Sequence, residues 1–181
     1  FVFDASPFGL GGFVSVNGTI TEYFANELSV FDTTFFNAEI GDAAGQQSWE
    51  ALALLVGLRA WSHLWKDHRC ALLIEGDNVG ALTLVAKFKA AGRGPGIIAR
   101  EVALLFSEAS FEPRVVSHVP GISNVIADML SRKHDPNKPF ALPLALAGAR
   151  EIFPPPRDAS YFLSLRPAVQ VGDGGRDCRG K

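Results

Sequence analysis

The chain has 181 residues, of which 48% are hydrophobic and 20% are charged, and its formal net charge is −2. This size and composition predict one globular domain with a substantial core. No apolar run approaches the roughly 18 residues of a transmembrane helix, and the N-terminus lacks a secretory signal pattern. We therefore expect an intracellular protein, cytoplasmic or nuclear. It should be neither secreted nor bound to a membrane.

The first elements in chain order are predicted to be three antiparallel strands. An apolar run covers residues 1–7. Two further runs, 13–16 and 19–24, flank Asn17-Gly18, which is a strong hairpin signal. Residues 26–45 lack any periodicity, and we expect a long loop there that packs its aromatic residues on the body.

Helices and strands alternate in the middle of the chain. Apolar residues at helical spacing predict a helix from Gln46 to Trp65. The later predicted elements are a strand at 70–76 covered on both faces, helices at 78–90 and 97–109, a strand at 111–118 and a last helix ending near Arg132. The order βββαβααβα predicts an α/β domain with a mixed five-stranded sheet flanked by helices.

The character of the sequence changes after residue 132. Residues 1–132 carry nine Lys and Arg against fourteen Asp and Glu, whereas residues 133–181 carry eight against five and are rich in Pro and Gly. We therefore predict a domain at 1–132 and a largely irregular tail or linker at 133–181. The only Met is Met129, so we expect a piece of a longer polypeptide whose N-terminal strand is truncated.

Four acidic residues lie at the edges of the apolar elements: Asp4, Glu50, Asp77 and Asp128. A carboxylate in such a place needs a cation or a donor as partner, and carboxylates that converge from different elements are typical ligands of hard divalent metal ions. Asp4, Glu50 and Asp77 also have an ordinary interpretation, as a turn or helix cap or as a partner of the helix dipole, whereas Asp128 lies among apolar residues and is harder to explain in this way. Taken jointly, the four acids favour metal ligation.

The residues around these acids form an ordered set of motifs. They are Phe3-Asp-Ala-Ser6 with Gly9-x-Gly-Gly12, Trp49-Glu-Ala-Leu-Ala53, Glu75-Gly-Asp-Asn78, and His118-Val-Pro-Gly121 followed by Asn124-x-x-Ala-Asp-x-Leu-Ser-Arg132. Over about residues 1–132, this set resembles the ribonuclease H domains of retroelement reverse transcriptases, of the retrotransposon or pararetroviral type. The last motif is the most specific of them.

The resemblance implies a ribonuclease H-like fold and an endonuclease that hydrolyses the RNA strand of RNA–DNA hybrids. Two Mg²⁺ ions about 4 Å apart, for which Mn²⁺ can substitute, would activate a water and stabilise the leaving oxygen. The resemblance also implies that Asp4 binds both ions, that Glu50 and Asp77 are the other ligands of one ion, and that Asp128 is the other ligand of the second ion. The implied partners are an RNA–DNA hybrid, recognised by its shape and 2′-hydroxyls, and an upstream polymerase domain of the same polyprotein.

Further residues near these motifs are candidates for catalysis or nucleic-acid binding. His118 lies ten residues before Asp128, where the family often has a histidine that assists proton transfer or product release; ordering the following turn is an equal alternative. Ser6 and Asn78 are predicted contacts with the nucleic-acid backbone, although capping explains both as well.

Basic residues supply the remaining candidates. Lys87, Lys89 and Arg93 form the only basic cluster in the sequence of residues 1–132, and Arg132 falls one helical turn after Asp128. All four could contact phosphates. A solvated surface for the cluster, and pairing with Asp128 for Arg132, are the alternatives.

The order of the acids excludes two related classes of metal nuclease. Integrases and transposases place a glutamate last, whereas Glu50 is second here, and proofreading exonucleases have Asp-x-Glu where this chain has Asp4-Ala-Ser6. The remaining alternative is a catalytically silent ribonuclease H-like module with a structural or assembly role in a polyprotein. Such modules usually lose a metal ligand, and this chain keeps all four acids.

Overall fold

The protein is described by a computed structural model that covers residues 1–68, 70–87, 92–108, 112–115 and 124–166, with the backbone alone at 84–86 and 112–115. The strands are β1 (Val2–Ser6), β2 (Gly9–Val16), β3 (Thr19–Glu27), β4 (Ala71–Ile74), β5 (Glu112–Val115) and β6 (Arg150–Glu151). The helices are α1 (Val30–Phe36), α2 (Gln46–Ala60), α3 (Ser62–Trp65), α4 (Val79–Lys87), α5 (Arg93–Glu108) and α6 (Val125–Ser131). The predicted α/β class is confirmed.

The main sheet has four strands in the order β1-β2-β3-β6. Strands β1, β2 and β3 are antiparallel neighbours, as predicted, and Asn17 and Gly18 both have positive φ in the turn between β2 and β3. Strand β6 runs parallel to β3, which makes the sheet mixed. Strand β6 comes from the segment that was predicted to be an irregular tail.

Strands β4 and β5 form a parallel pair beside the main sheet. Backbone hydrogen bonds connect β1 to the end of β4: the Phe3 N–H donates to the Glu75 carbonyl at 3.1 Å, and the Glu75 N–H donates to the Phe1 carbonyl at 2.9 Å. These bonds place the loop after β4 next to the middle of β1. The predicted burial of both faces of β4 is wrong, because Leu73 is 42% exposed while Leu72 and Ile74 are buried.

Helix α2 forms the centre of the molecule. Its residues from Trp49 to Leu58 are all buried, and it packs against β1, β2, α4 and α5. The predicted helix from Gln46 to Trp65 is broken at Trp61, where α2 ends and the short α3 begins. A helix buried all round in this way fixes the position of any side chain that it carries.

The prediction of an irregular loop at 26–45 is wrong for α1. Ser29 and Asp32 form a capping box, in which the Ser29 Oγ accepts from the Asp32 N–H and the Asp32 carboxylate accepts from the Ser29 N–H. Helix α5 also begins at Arg93, four residues before its predicted start. Pro95 falls in its first turn, where a missing N–H removes no helical hydrogen bond.

The tail packs on the domain as far as it is described. It contains no long element, but Phe162 is fully buried and its ring stacks on that of Phe35, with centroids 4.4 Å apart. Arg157 is also buried and bonds to Asp32 in α1. The boundary at residue 132 stays a prediction, but the residues that follow it contribute side chains to the core.

Candidate metal centre

Three of the four predicted acids lie together. Asp4 comes from β1, Glu50 from the beginning of α2, and Asp77 from the loop between β4 and α4. One carboxylate oxygen of each lies within 4.8 Å of those of the other two. Asp4 and Glu50 are 3% and 4% exposed, whereas Asp77 is only half-buried. The group therefore opens to the surface on the side of Asp77.

The position of Glu50 is set by a glutamine one helical turn before it. The Gln46 side-chain amide donates to the Ala5 carbonyl in β1 at 2.6 Å and to the Glu50 Oε1 at 2.8 Å. Helix α2 is thereby fixed to the strand that carries Asp4. The second oxygen of Glu50, Oε2, is buried and has no hydrogen-bond partner. A buried acceptor of this kind has room for a partner such as a water or a bound cation.

Burial and mutual repulsion raise the pKa of two of these carboxyls. Burial, followed by the charge of Asp77, raises the pKa of Asp4 from 3.8 to about 7, and the hydrogen bond from Ser131 opposes this shift. Burial, followed by the charge of Asp4, raises the pKa of Glu50 well above its ordinary value. Within the described ranges, no Lys or Arg forms an ion pair with Asp4 or Glu50.

The donor set fits a hard divalent cation. All three ligand groups are carboxylates, which suit Mg²⁺, Ca²⁺ and Mn²⁺ better than softer metals. A cation would offset the burial and the mutual repulsion that raise the pKa of Asp4 and of Glu50, and it would give the buried Glu50 Oε2 a partner. Metal binding by this group is the function that its chemistry supports directly.

Asp128 lies outside the group of three. Its Oδ1 accepts from the Arg132 Nε at 2.6 Å, and the two side chains are 44% and 36% exposed. This is the pairing that the sequence left as the alternative role of Arg132. The charge of Asp128 nevertheless contributes to the raised pKa of Asp4, so the fourth acid is close enough to interact with the centre.

Ser6 and Asn78 have structural partners. The Ser6 hydroxyl is fully buried, donates to the Ser131 carbonyl at 2.7 Å and accepts from the Phe8 and Gly9 N–H groups. The Asn78 Oδ1 accepts from the Ala81 N–H at 3.0 Å at the start of α4. Capping therefore accounts for both side chains, and their contact with nucleic acid stays a prediction without support from their surroundings.

The remaining candidates are basic residues and a histidine. Lys87 ends α4 and Arg93 begins α5, and both are exposed, which leaves them free to meet a phosphate. Lys89 and His118 lie outside the described residues, so the roles predicted for them stay predictions.

Two residues that bond to Asp4 were not predicted to belong to the site. The Asn124 Nδ2 lies 3.3 Å from the Asp4 Oδ1, and the Ser131 Oγ donates to the Asp4 Oδ2 at 3.0 Å. Both belong to the last sequence motif, in which roles were predicted for His118, Asp128 and Arg132 but not for these two residues. Their presence in that motif was the available signal, but their target depends on how α6 packs.

Comparison with models of known protein families, with curated proteins and with solved structures found no match for this chain. The functional proposal therefore depends on the sequence motifs and on the geometry of the three carboxylates. In the part of the chain that the structure describes, none of the helices has the length and apolar character needed to cross a membrane.

Proposed function

We propose that this chain is the ribonuclease H domain of a retroelement reverse transcriptase, a metal-dependent endonuclease that hydrolyses the RNA strand of RNA–DNA hybrids with two Mg²⁺ ions. The observation that carries the proposal is the meeting of Asp4, Glu50 and Asp77 within 4.8 Å of one another. They come from three elements that are far apart in sequence, and they are the first three acids of the ordered motifs. We further propose an intracellular location and a polymerase domain upstream in the same polyprotein.

The connection between β1 and β4 supports the proposed fold. The Phe1 terminal amine donates to the Leu73 carbonyl at 2.8 Å, and the bonds between Phe1, Phe3 and Glu75 continue this contact in a parallel register. Extending the pairing would join the two sheets into the order β6-β3-β2-β1-β4-β5, in which the two-residue β6 lies at the edge of five longer strands. That arrangement, with β1 in the centre and Asp4 on it, is the ribonuclease H-like sheet that the resemblance implies.

The three carboxylates would hold a Mg²⁺ ion and leave its solvent side open. When bound, Mg²⁺ activates a water for attack on a phosphodiester and stabilises the charge on the leaving oxygen. Gln46 keeps Glu50 in place, and the half-buried Asp77 marks the side from which a phosphate can approach. No side chain of this group has to act as the nucleophile.

A second ion would need Asp128 in addition to Asp4, as the resemblance implies. Asp128 is paired with Arg132 through its Oδ1, so a cation at Asp128 would compete with the guanidinium for this carboxylate unless Arg132 turns to another anion. A phosphate of the substrate is such an anion, since guanidinium groups bind phosphates in the same bidentate manner as carboxylates. The proposed phosphate contact of Arg132 and the proposed ligand role of Asp128 are therefore linked.

The test is cleavage of a labelled RNA–DNA hybrid by the purified chain in the presence of Mg²⁺. We expect RNA fragments with 3′-hydroxyl and 5′-phosphate ends, and a rate about a hundredfold or more lower for Asp77→Asn, because metal ions contribute several kcal/mol to such reactions. Asp67→Asn is the matched control, since Asp67 is exposed and lies outside the acidic group. No cleavage by the wild type, or equal cleavage by Asp77→Asn, would contradict the proposal.

One observation favours the catalytically silent alternative. Asp128, the fourth acid, forms an ion pair with Arg132 in place of joining the other three. A silent module would bind Mg²⁺ through Asp4, Glu50 and Asp77 without cutting any hybrid. The cleavage assay combined with a Mg²⁺ titration therefore separates the two functions.

A further inference from the structure

Helix α6 packs unusually close to the main sheet. A Cβ atom on Gly11 of β2 would lie 2.4 Å from the Ser131 nitrogen and 2.6 Å from the Ala127 carbonyl oxygen. A Cβ on Gly9 would lie 2.8 Å from the Ser131 carbonyl oxygen. These two glycines therefore let the backbone of α6 rest directly on β2, where a larger residue would hold it away.

The close packing brings both ends of α6 to the carboxylate of Asp4. Asn124 precedes the helix and Ser131 ends it, so the two residues are seven positions, or about two helical turns, apart and lie on the same face. The Asn124 Nδ2 lies 3.3 Å from the Oδ1 of Asp4, and the Ser131 Oγ lies 3.0 Å from its Oδ2. Each carboxylate oxygen thus receives one donor from the helix.

The side-chain hydrogen bonds of Asn124 and Ser131 are directed to Asp4 and not to capping α6. Asn124 occupies the N-cap position but makes no capping hydrogen bond with its side chain; its amide donates instead to Asp4 and to the Phe3 carbonyl. The Ser131 hydroxyl has one proton and two possible acceptors, the Asp4 carboxylate and the Asp128 carbonyl at 2.9 Å. A charged carboxylate is the stronger acceptor of the two. Both residues are almost completely buried, at 1% and 0% exposure.

We propose that Asn124 and Ser131 are positioning residues that hold the carboxylate of Asp4 in the orientation in which it binds metal together with Glu50 and Asp77. Without them, repulsion from the neighbouring carboxylates would favour rotation of Asp4 away from the group. An oxygen with two lone pairs can accept one of these hydrogen bonds and still bind a cation. The inference rests on the proposed function only in taking a divalent cation as the ligand.

The test is the affinity of the full 181-residue chain for Mg²⁺, measured by isothermal titration calorimetry. Removing a group that orients a metal ligand typically weakens binding about 10- to 100-fold, so we expect a shift of that size for Asn124→Ala and for Ser131→Ala. Matched controls are Asn137→Ala and Ser107→Ala. Both residues are exposed, and the Ser107 hydroxyl donates to the Leu104 carbonyl of its own helix. Both controls should bind Mg²⁺ as the wild type does.

Thermal unfolding with and without Mg²⁺ distinguishes positioning from a purely structural role. Positioning predicts that the alanine variants fold without metal and lose most of the rise in Tm that Mg²⁺ produces in the wild type. It also predicts that Ser131→Thr, which keeps the hydroxyl, retains more Mg²⁺ affinity than Ser131→Ala. Alanine variants that fail to fold without metal, or that keep the full Mg²⁺-dependent rise, would overturn the inference.

Parallel hybrid-cleavage assays separate this inference from the proposed function. If the wild type binds Mg²⁺, the alanine variants bind it weakly and no protein cuts the hybrid, the positioning role stands and the proposed nuclease function fails. If the wild type cuts the hybrid and the alanine variants bind Mg²⁺ equally well, the function stands and the positioning role fails. A wild type that does not bind Mg²⁺ would overturn both.

Discussion

The protein buries carboxylates in two regions: in one they are paired with arginines, and in the other they lie next to one another. At the C-terminal anchor, defined here as residues 150–166 with the side chains that they contact, Asp32 and Glu101 are fully buried. Asp32 forms two bonds with Arg157, at 2.8 and 2.7 Å, and Glu101 pairs with Arg59 at 2.6 Å. Glu101 also accepts the N–H groups of two residues of the anchor, Leu163 and Ser164.

At the candidate metal centre, no Lys or Arg of the described ranges forms an ion pair with Asp4 or Glu50. The hydrogen-bond donors to these two carboxylates include the neutral side chains of Gln46, Asn124 and Ser131. Asp4 and Glu50 are almost as deeply buried, but their nearest charges are other carboxylates. Buried groups that are fully paired contribute to the fold, whereas buried groups that repel one another are retained at a cost in stability and are typical of functional sites. The same chemical change should therefore have opposite effects in the two regions.

The largest effect is expected at the anchor. Asp32→Asn leaves the guanidinium of Arg157, which is only 7% exposed, without a counter-charge, and breaking a buried ion pair in this way costs about 3–5 kcal/mol. We expect a decrease of that size in the free energy of unfolding, measured by urea denaturation. Asp67→Asn, at an exposed position, is the control. Equal stabilities for the two variants would remove the contrast between the regions.

A smaller effect of opposite sign is expected at the metal centre. Asp77→Asn removes a charge that contributes to the raised pKa of both Asp4 and Glu50. Without metal and above pH 7, we expect this variant to be more stable than the wild type by about 1 kcal/mol, while its affinity for Mg²⁺ falls. Urea denaturation in the presence of a chelator measures the first quantity. A clear loss of stability in Asp77→Asn would show that the charge of Asp77 stabilises the folded protein and would contradict this prediction.

The last expected effect is a dependence of stability on pH. The pKa of Asp4 is raised from 3.8 to about 7, so between these values the folded state keeps a proton that the unfolded state has released. The stability that this proton contributes is complete below 3.8 and is lost as the pH rises through about 7. Mg²⁺ binds the deprotonated carboxylate, so its affinity should rise over the same interval.

Tm measurements between about pH 5 and pH 8 check this dependence. Without metal, the Tm of the wild type should fall with pH more steeply than that of Asp4→Asn, since the variant lacks the titrating group. With Mg²⁺ the difference should shrink, because the cation replaces the proton. Parallel curves for wild type and variant in the absence of metal would show that Asp4 does not titrate in this range.

The motifs predict that four acids converge, and three of them, Asp4, Glu50 and Asp77, meet in the structure, whereas the motifs do not predict how these acids are held in place. Asp4, Glu50 and Asp77 could be selected because each ends or begins an apolar element, and a sheet brings such ends together. The contacts of Asn124 and Ser131 with Asp4 depend on the close approach of α6 to Gly11. That approach is a property of packing, which residue types and spacing do not reveal.

The wrong predictions for other parts of the fold also arise from contacts that the local sequence does not show. Ser29 and Asp32 have the spacing of a capping box, but α1 is only seven residues long, which is too short for its aromatic residues to show a helical period in the sequence. The pairing of Asp32 with Arg157 joins positions 125 residues apart, and no local sequence pattern predicts such a contact. The tail was predicted to be irregular from its prolines, which exclude long elements without preventing Phe162 from entering the core.

The central claim is that Asp4, Glu50 and Asp77 together bind a divalent metal ion. Crystals of the protein grown with Mn²⁺ test it most directly, because anomalous scattering locates the ion independently of any assumption about its ligands. We predict an anomalous peak within bonding distance of carboxylate oxygens of all three residues. A protein saturated with Mn²⁺ that shows no peak there, or shows it only at other residues, would contradict the claim.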